Sequence, residues 1–269
     1  MTDNIGKYNE FRLPKHRQMV GTYASLAPKR PMQALVEFDI TKARTYFTEY
    51  KERTGQNLSF SAWLVICVAH AIDQYKQVQG FRKGKKLIVF DDVDVWLTIE
   101  RKRGSEGKVR ACIIRKANEK TVMQIHQEIR AAQDANTQDA TTKENEEAAS
   151  SGPSRSMPDF VKKLAVWLYK RDPFRRKMIQ GTVGMTSVGN VVGESTGFWG
   201  FPIVSGPFPL WFTIGVISRK PGLEAGRIEA REYLPLSIVF DHDAVDGGDA
   251  ARFLSKLGEL LKEGYGLES

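Results

Sequence analysis

Two periodicities alternate along this chain. From Gln33 to Asp39, Ala34, Val36 and Phe38 alternate with Leu35 and Glu37, which predicts a strand with apolar residues on both faces. Thr41 then stands where a cap belongs, ahead of a predicted helix with Ala43, Tyr46, Phe47 and Tyr50 on its apolar face. Phe60, Trp63, Leu64, Cys67, Val68, Ala71, Ile72 and Tyr75 keep three–four spacing without a miss, the clearest helix signal in the chain, with Ser59 or Ser61 as its cap. Val93, Val95, Leu97 and Ile99 alternate with Asp94, Trp96, Thr98 and Glu100 and predict a half-buried strand. Beyond a charged, glycine-containing turn, the apolar run Val109 to Ile114 predicts its hairpin partner. Thr121 caps the next predicted helix, with Val122, Ile125 and Ile129 on one face.

The pattern lapses at about Ala135 to Met157. This stretch is polar and low in aromatics and closes in Ser-Ser-Gly-Pro-Ser, so a flexible insertion at about 135–158 is expected. Helical spacing returns at Phe160 to Lys170, where Phe160, Val161, Leu164, Trp167 and Leu168 face one way beside basic residues. Such a face can touch a membrane surface, but packing on the same domain or on a neighbouring subunit is the expectation. Thr182 to Val188, Trp211 to Ile217 and Leu234 to Phe240 are strand candidates. A final helix, starting near Asp249, carries Ala250, Phe253, Leu254, Leu257, Leu260 and Leu261 in one stripe. Strands mixed with helices, without a repeat and without Gly-rich phosphate loops in regular alternation, predict one α/β domain over 1–269 with a mixed sheet.

Composition changes this picture little: 41% apolar and 27% charged residues are ordinary for a globular protein. No run reaches the roughly 18 apolar residues of a membrane span, and MTDNIGKYNEFRLPKHRQ lacks the apolar core of a secretory signal. Of the two cysteines, neither Cys67 nor Cys112 has a partner at metal-ligand spacing, which fits a reducing cytoplasm and no metal. The net charge of +8 gathers partly in Arg101-Lys102-Arg103 and in Arg171 to Lys177. No zinc-finger, homeodomain or ribonucleoprotein motif accompanies it, so solvated faces rather than nucleic acid are expected. Part of the excess can attract a phosphorylated anionic ligand.

Candidate chemistry lies before the last helix. The apolar run Leu236 to Phe240 leads into Asp241-His242-Asp243-Ala244-Val245-Asp246-Gly247-Gly248. A histidine at the end of a buried strand projects from a rigid support, and an acid four residues on can orient it directly or through another charge. The two glycines allow backbone angles that a β-carbon forbids. On spacing alone, such a His–Asp pair in a turn is more often structural than catalytic. His70 falls on the apolar helix, His126 on another helix and His16 among basic residues, none in a catalytic context. There is no Gly-x-Ser-x-Gly elbow.

LPLSIVFDHDAVDGGDAARFLSKLGELL resembles the closing motif of the catalytic domain of 2-oxo acid dehydrogenase acyltransferase subunits and, more distantly, chloramphenicol acetyltransferase. Both carry His-x-x-x-Asp-Gly before a final helix. FRLPKHRQMVGTYASLAPKRPMQALVEFDIT is similar to the family's opening, LSFSAWLVICVAHAI to its buried helix, and GTVGMTSVG to its Gly-Thr-x-x-x-Ser-Asn-x-Gly strand. The resemblance implies a chloramphenicol acetyltransferase-like two-layer sandwich and direct acyl transfer between CoA and a thiol or other small acceptor. It implies His242 as general base, Asp246 holding the local geometry with Arg17 as its partner, Gly247 completing the motif, and Thr186, in place of the family's serine, as oxyanion donor. It implies a trimer, or an assembly of trimers, with active sites between subunits.

Two departures bear on the acceptor. Asp243 stands where the family usually has arginine, reversing a charge beside the histidine. No lipoyl or subunit-binding domain is expected in this chain, so a lipoyl group would come in trans, from a lipoyl-carrying protein or dehydrogenase component. The alternative is a non-catalytic trimeric core that keeps the fold without transfer activity.

Overall fold

The alternating run near the N-terminus forms β1 (Pro31–Asp39). Its even-numbered residues, Met32 to Phe38, pack on the core, and Leu35 on the other face is exposed. A computed structural model describes residues 27–100, 109–134, 167–188 and 200–267. The expected insertion at 135–158, the turn 101–108, Arg17 and His16 therefore lie outside the described residues, as does the predicted amphipathic helix except for a helical stretch at 167–171.

After β1 comes α1 (Thr41–Thr54). Thr41 is its first residue and not its cap. Its hydroxyl donates to Asp39 Oδ1 (2.6 Å), which also accepts the Thr41 N–H (2.9 Å), so the side-chain acceptor at this helix start is Asp39. The helix ends at Gly55, where φ of 69° suits glycine. α2 (Phe60–Gln74) is capped by Ser59, which accepts the Ala62 N–H. Its residues from Ala62 to Ala69 are all buried, as expected of a helix apolar on most of its circumference. In α3 (Val122–Asp134), Val122, Ile125 and Ile129 are buried, and Thr121 and Gln124 cap each other's N–H groups.

A short hairpin of β2 (Phe81–Lys83) and β3 (Lys86–Ile88) precedes β4 (Val95–Glu100) and β5 (Val109–Ile114). Then follow α4 (Pro173–Gln180), β6 (Val183–Ser187), β7 (Leu210–Ile214), β8 (Ser218–Glu224), β9 (Arg227–Asp241) and α5 (Gly247–Glu263). The large sheet runs β1-β9-β7-β6-β4-β5, with β8 beside the first half of β9. It is mixed: β4, β6 and β7 are parallel, and the remaining pairs are antiparallel.

The core lies between one face of this sheet and α1, α2, α3 and α5. Val95, Leu97, Val183, Met185, Phe212, Ile238 and Phe240 meet Trp63, Leu64, Phe253 and Leu257 there. The opposite face carries a separate aromatic cluster of Trp96, Phe208 and Trp211, with ring centroids 5.5–5.8 Å apart. Gly184 makes room for it, since a Cβ there would lie 2.2 Å from the Trp211 ring. Among the described residues, no helix is long and apolar enough to cross a membrane.

Candidate active site

His242 follows the last residue of β9 on a turn whose backbone is satisfied at every step. The N–H of Asp241 donates to Pro209 O (2.8 Å), that of His242 to Arg30 O (2.9 Å), and that of Asp243 to Asp241 Oδ1 (3.1 Å). Those of Ala244 and Val245 both return to Asp241 O. Val245, only 2% exposed, pins the turn into the core. Asp246 then caps α5, its Oδ1 accepting the Asp249 N–H at 2.8 Å. The histidine is thus held between a strand end and a capped helix. It is exposed in the single chain, and its imidazole has no hydrogen-bond partner among the described residues.

The Asp246 carboxylate is committed to the helix start rather than to the imidazole. Direct orientation of His242 by the acid four residues on is therefore absent from the single chain. The helix begins at Gly247, two residues before the expected start. Neither Gly247 nor Gly248 has positive φ, so the backbone angles that the two glycines allow are not used here. A Cβ at Gly247 would meet nothing within 4 Å, while one at Gly248 would crowd the Asp246 cap at 3.3 Å.

The charge reversal at Asp243 is compensated. Arg30 reaches its Oδ1 through Nε (2.7 Å) and a second guanidinium nitrogen, and Arg82 does so at 3.2 Å. Burial pushes the Asp241 carboxyl above its usual range; the Asp243 charge adds to this, against the pull of the Asp243 N–H, Arg176 and Arg30. Burial, with Lys29 and Arg176 nearby, pushes Lys170 down. The sheet end that carries His242 is therefore rich in cations.

Thr186 lies elsewhere. It is half-buried on β6, on the sheet face opposite α1, α2, α3 and α5, with its hydroxyl 3.0 Å from that of Thr98. Strand register places Thr186 opposite Thr213, and Thr213 opposite Ser237. A row of hydroxyls therefore crosses the sheet; Thr213 accepts the Trp211 indole N–H, and Ser237 Oγ is buried without a partner among the described residues. Asp241 is four residues beyond Ser237 on a strand two places from β6. At about 3.3 Å per residue and about 4.8 Å per strand, its Cα is roughly 16 Å from that of Thr186. His242, next in sequence, and Thr186 do not meet in one chain. Two surface hollows, one over α1 at Tyr46, Tyr50 and Arg53 and one beside α4 at Asp94, Arg115 and Lys177, include neither residue.

Residues 18–151 and 172–267 match the model of the 2-oxoacid dehydrogenases acyltransferase (catalytic domain) family. The chain belongs to that family. It is similar to the dihydrolipoyllysine-residue acetyltransferase component of the pyruvate dehydrogenase complex of Acholeplasma laidlawii (37% identity over 92 residues, 34% of this chain and 17% of that one). It is also similar to the lipoamide acyltransferase component of the branched-chain alpha-keto acid dehydrogenase complex of Bacillus subtilis (22% identity, 85% of this chain and 46% of that one). The chain spans less than half the length of either relative.

Solved structures share the fold. The cubic core of a pyruvate dehydrogenase multienzyme complex superposes with a TM-score of 0.67 at 20% identity, over 99% of this chain and 96% of that one. A dihydrolipoamide acetyltransferase from Azotobacter vinelandii, studied for the catalytic roles of a serine, a histidine and an asparagine, gives 0.68 at 20% identity over the same shares. Chloramphenicol acetyltransferase gives 0.50 at 18% identity, over 91% and 92%. The domain therefore has the expected mixed-sheet architecture. Arg30, Arg82 and Thr98 were not expected near these residues. Their contacts follow from strand register and from Arg30 preceding β1, which no local pattern encodes.

Proposed function

We propose that this domain moves an acyl group between CoA and a thiol acceptor of the dihydrolipoyl type by direct transfer, with His242 as general base. The carrying observation is the His242 imidazole, exposed and without a partner among the described residues, on a turn whose N–H groups from Asp241 to Val245 are all hydrogen-bonded. An imidazole nitrogen takes the proton of the attacking thiol, whose free pKa of about 8.5 is close enough for a competent base. The sulfur attacks the thioester carbonyl, the tetrahedral oxyanion accepts a hydrogen bond from Thr186, and the C–S bond to the leaving thiol breaks. The proton then passes from the imidazolium to the departing thiolate.

Several features support this reading. The A. vinelandii acetyltransferase was studied for a histidine and an asparagine four residues apart, the spacing of His242 and Asp246. Lys170 and Arg176 beside Asp241, with Lys29 near Lys170, suit a phosphorylated ligand such as CoA. The separation of His242 and Thr186 within one chain favours a site shared between chains. A homotrimer follows most simply, because the corners of a cubic core lie on threefold axes. A lipoyl group carried by another protein is the proposed acceptor, with Arg17 as the proposed partner of Asp246.

The test is acyl-CoA turnover with dihydrolipoamide and a panel of other thiols. His242→Ala should lower it by ~10²–10⁴ while leaving the circular dichroism spectrum unchanged. A folded variant with half or more of wild-type turnover removes His242 from the mechanism. Wild-type protein inert toward every thiol and acyl chain points to a non-catalytic core.

A further inference from the structure

We propose that Asp243 is a positioning residue: its ion pairs with Arg30 and Arg82 set the direction of the His242 side chain. This rests on His242 as the base. Residue 243 is the position at which the chain departs in charge from its family's usual arginine. The structure pairs that departure with two arginines from separate elements. Arg30 stands just before β1, whose Pro31 is paired with Asp241, and its own carbonyl accepts the His242 N–H. Arg82 comes from β2.

Arg30 therefore holds His242 by its main chain and Asp243 by its side chain. The two bonds approach adjacent residues and restrict the rotation of the peptide between them. Asp243 is only 18% exposed at its side chain, against 66% for Arg30 and 48% for Arg82, so the carboxylate is the sheltered member on which both cations converge. All of these contacts converge on one carboxylate oxygen, Oδ1, from two sides, and charge-assisted bonds of this kind hold that oxygen in place. With arginine at 243, three guanidiniums would face one another and the turn would lose its outer tie.

Catalytic groups lose rate steeply when misplaced, by about 10²-fold for a shift of about 1 Å. Asp243→Asn should accordingly lower kcat roughly 10- to 100-fold with little change in KM. Asp243→Glu should recover part of the loss. Asp243→Arg, which installs the family's usual residue, should be at least as damaging as Asp243→Asn. Arg30→Gln keeps the main-chain carbonyl and approaches the same pair from its other side. It should lower kcat alone but add little in the Asp243→Asn background, because coupled residues are not additive. Together with Arg82→Gln, it keeps the test decisive if an Asp243 variant fails to fold.

Unchanged kcat in folded Asp243→Asn, with His242→Ala inactive, overturns the positioning role and leaves the base intact. Full activity in Asp243→Arg, or losses that simply multiply in the Asp243→Asn/Arg30→Gln double variant, also overturns it. Turnover retained by His242→Ala overturns both readings together.

Discussion

Two threonine hydroxyls face each other across β4 and β6, and only one can donate across the 3.0 Å between them. When Thr98 donates, the hydrogen of Thr186 is left to point elsewhere, with its oxygen already fixed. That is the arrangement an oxyanion donor needs, because no reorganisation is then required as charge develops. Thr186→Ala should lower turnover on the order of 10²–10³-fold while CoA affinity, measured by calorimetry, changes little. A raised KM with intact kcat would make Thr186 a binding residue instead. The Gly-Thr-x-x-x-Ser-like run brought Thr186 to attention in the sequence. Thr98 was legible only as a polar position of an alternating strand, since its partnership depends on a parallel register between segments 88 residues apart.

The β1–α1 junction is held by a carboxylate. Burial alone would push the Asp39 carboxyl up, but the Thr41 hydroxyl and N–H and the Arg231 guanidinium outweigh it and hold it below its ordinary value. A depressed folded-state pKa adds stability above the unfolded value of about 3.9, and that stability is lost as pH falls through the folded value. Asp39→Asn should therefore destabilise the domain by ~1–2 kcal/mol at neutral pH, with the deficit shrinking in acid; urea midpoints at both pH values measure it. The elements easiest to read were those whose pattern is imposed by the core. α2, the stripe of α5, and β4 all present an unbroken face to it, and Cys112 and Ile114 of β5 join them. α4 was missed because PFRRKMIQ buries only Pro173 and Gln180 and reads as a basic cluster. β8 was missed because Pro221 and Gly222 interrupt its alternation, and the first half of β9 because exposed residues such as Ile228 leave no burial signal. The Asp243 ion pairs link residues 213 positions apart for Arg30 and could not be inferred from neighbours.

At the scale of the molecule, the sheet carries Thr186 and His242 far apart, and the shared-site proposal requires a second chain to bring them together. Equal amounts of His242→Ala and Thr186→Ala chains, unfolded and refolded together, should regain activity. In a cyclic trimer about one interface in four would pair an intact histidine with an intact hydroxyl, so roughly a quarter of wild-type turnover is expected. A flat result from verified mixed trimers would sink sharing while leaving His242 as the base. The core has a chemical consequence of its own. Both cysteines of the chain, Cys67 and Cys112, are buried, and burial pushes the Cys67 thiol up, away from its reactive thiolate form. A catalyst of thioester exchange is surrounded by activated acyl groups that any accessible thiolate would capture. Here the protein withholds its own sulfur from the chemistry proposed for it. Native protein incubated with acyl-CoA should show no added acyl mass, and adducts should appear only once it is unfolded.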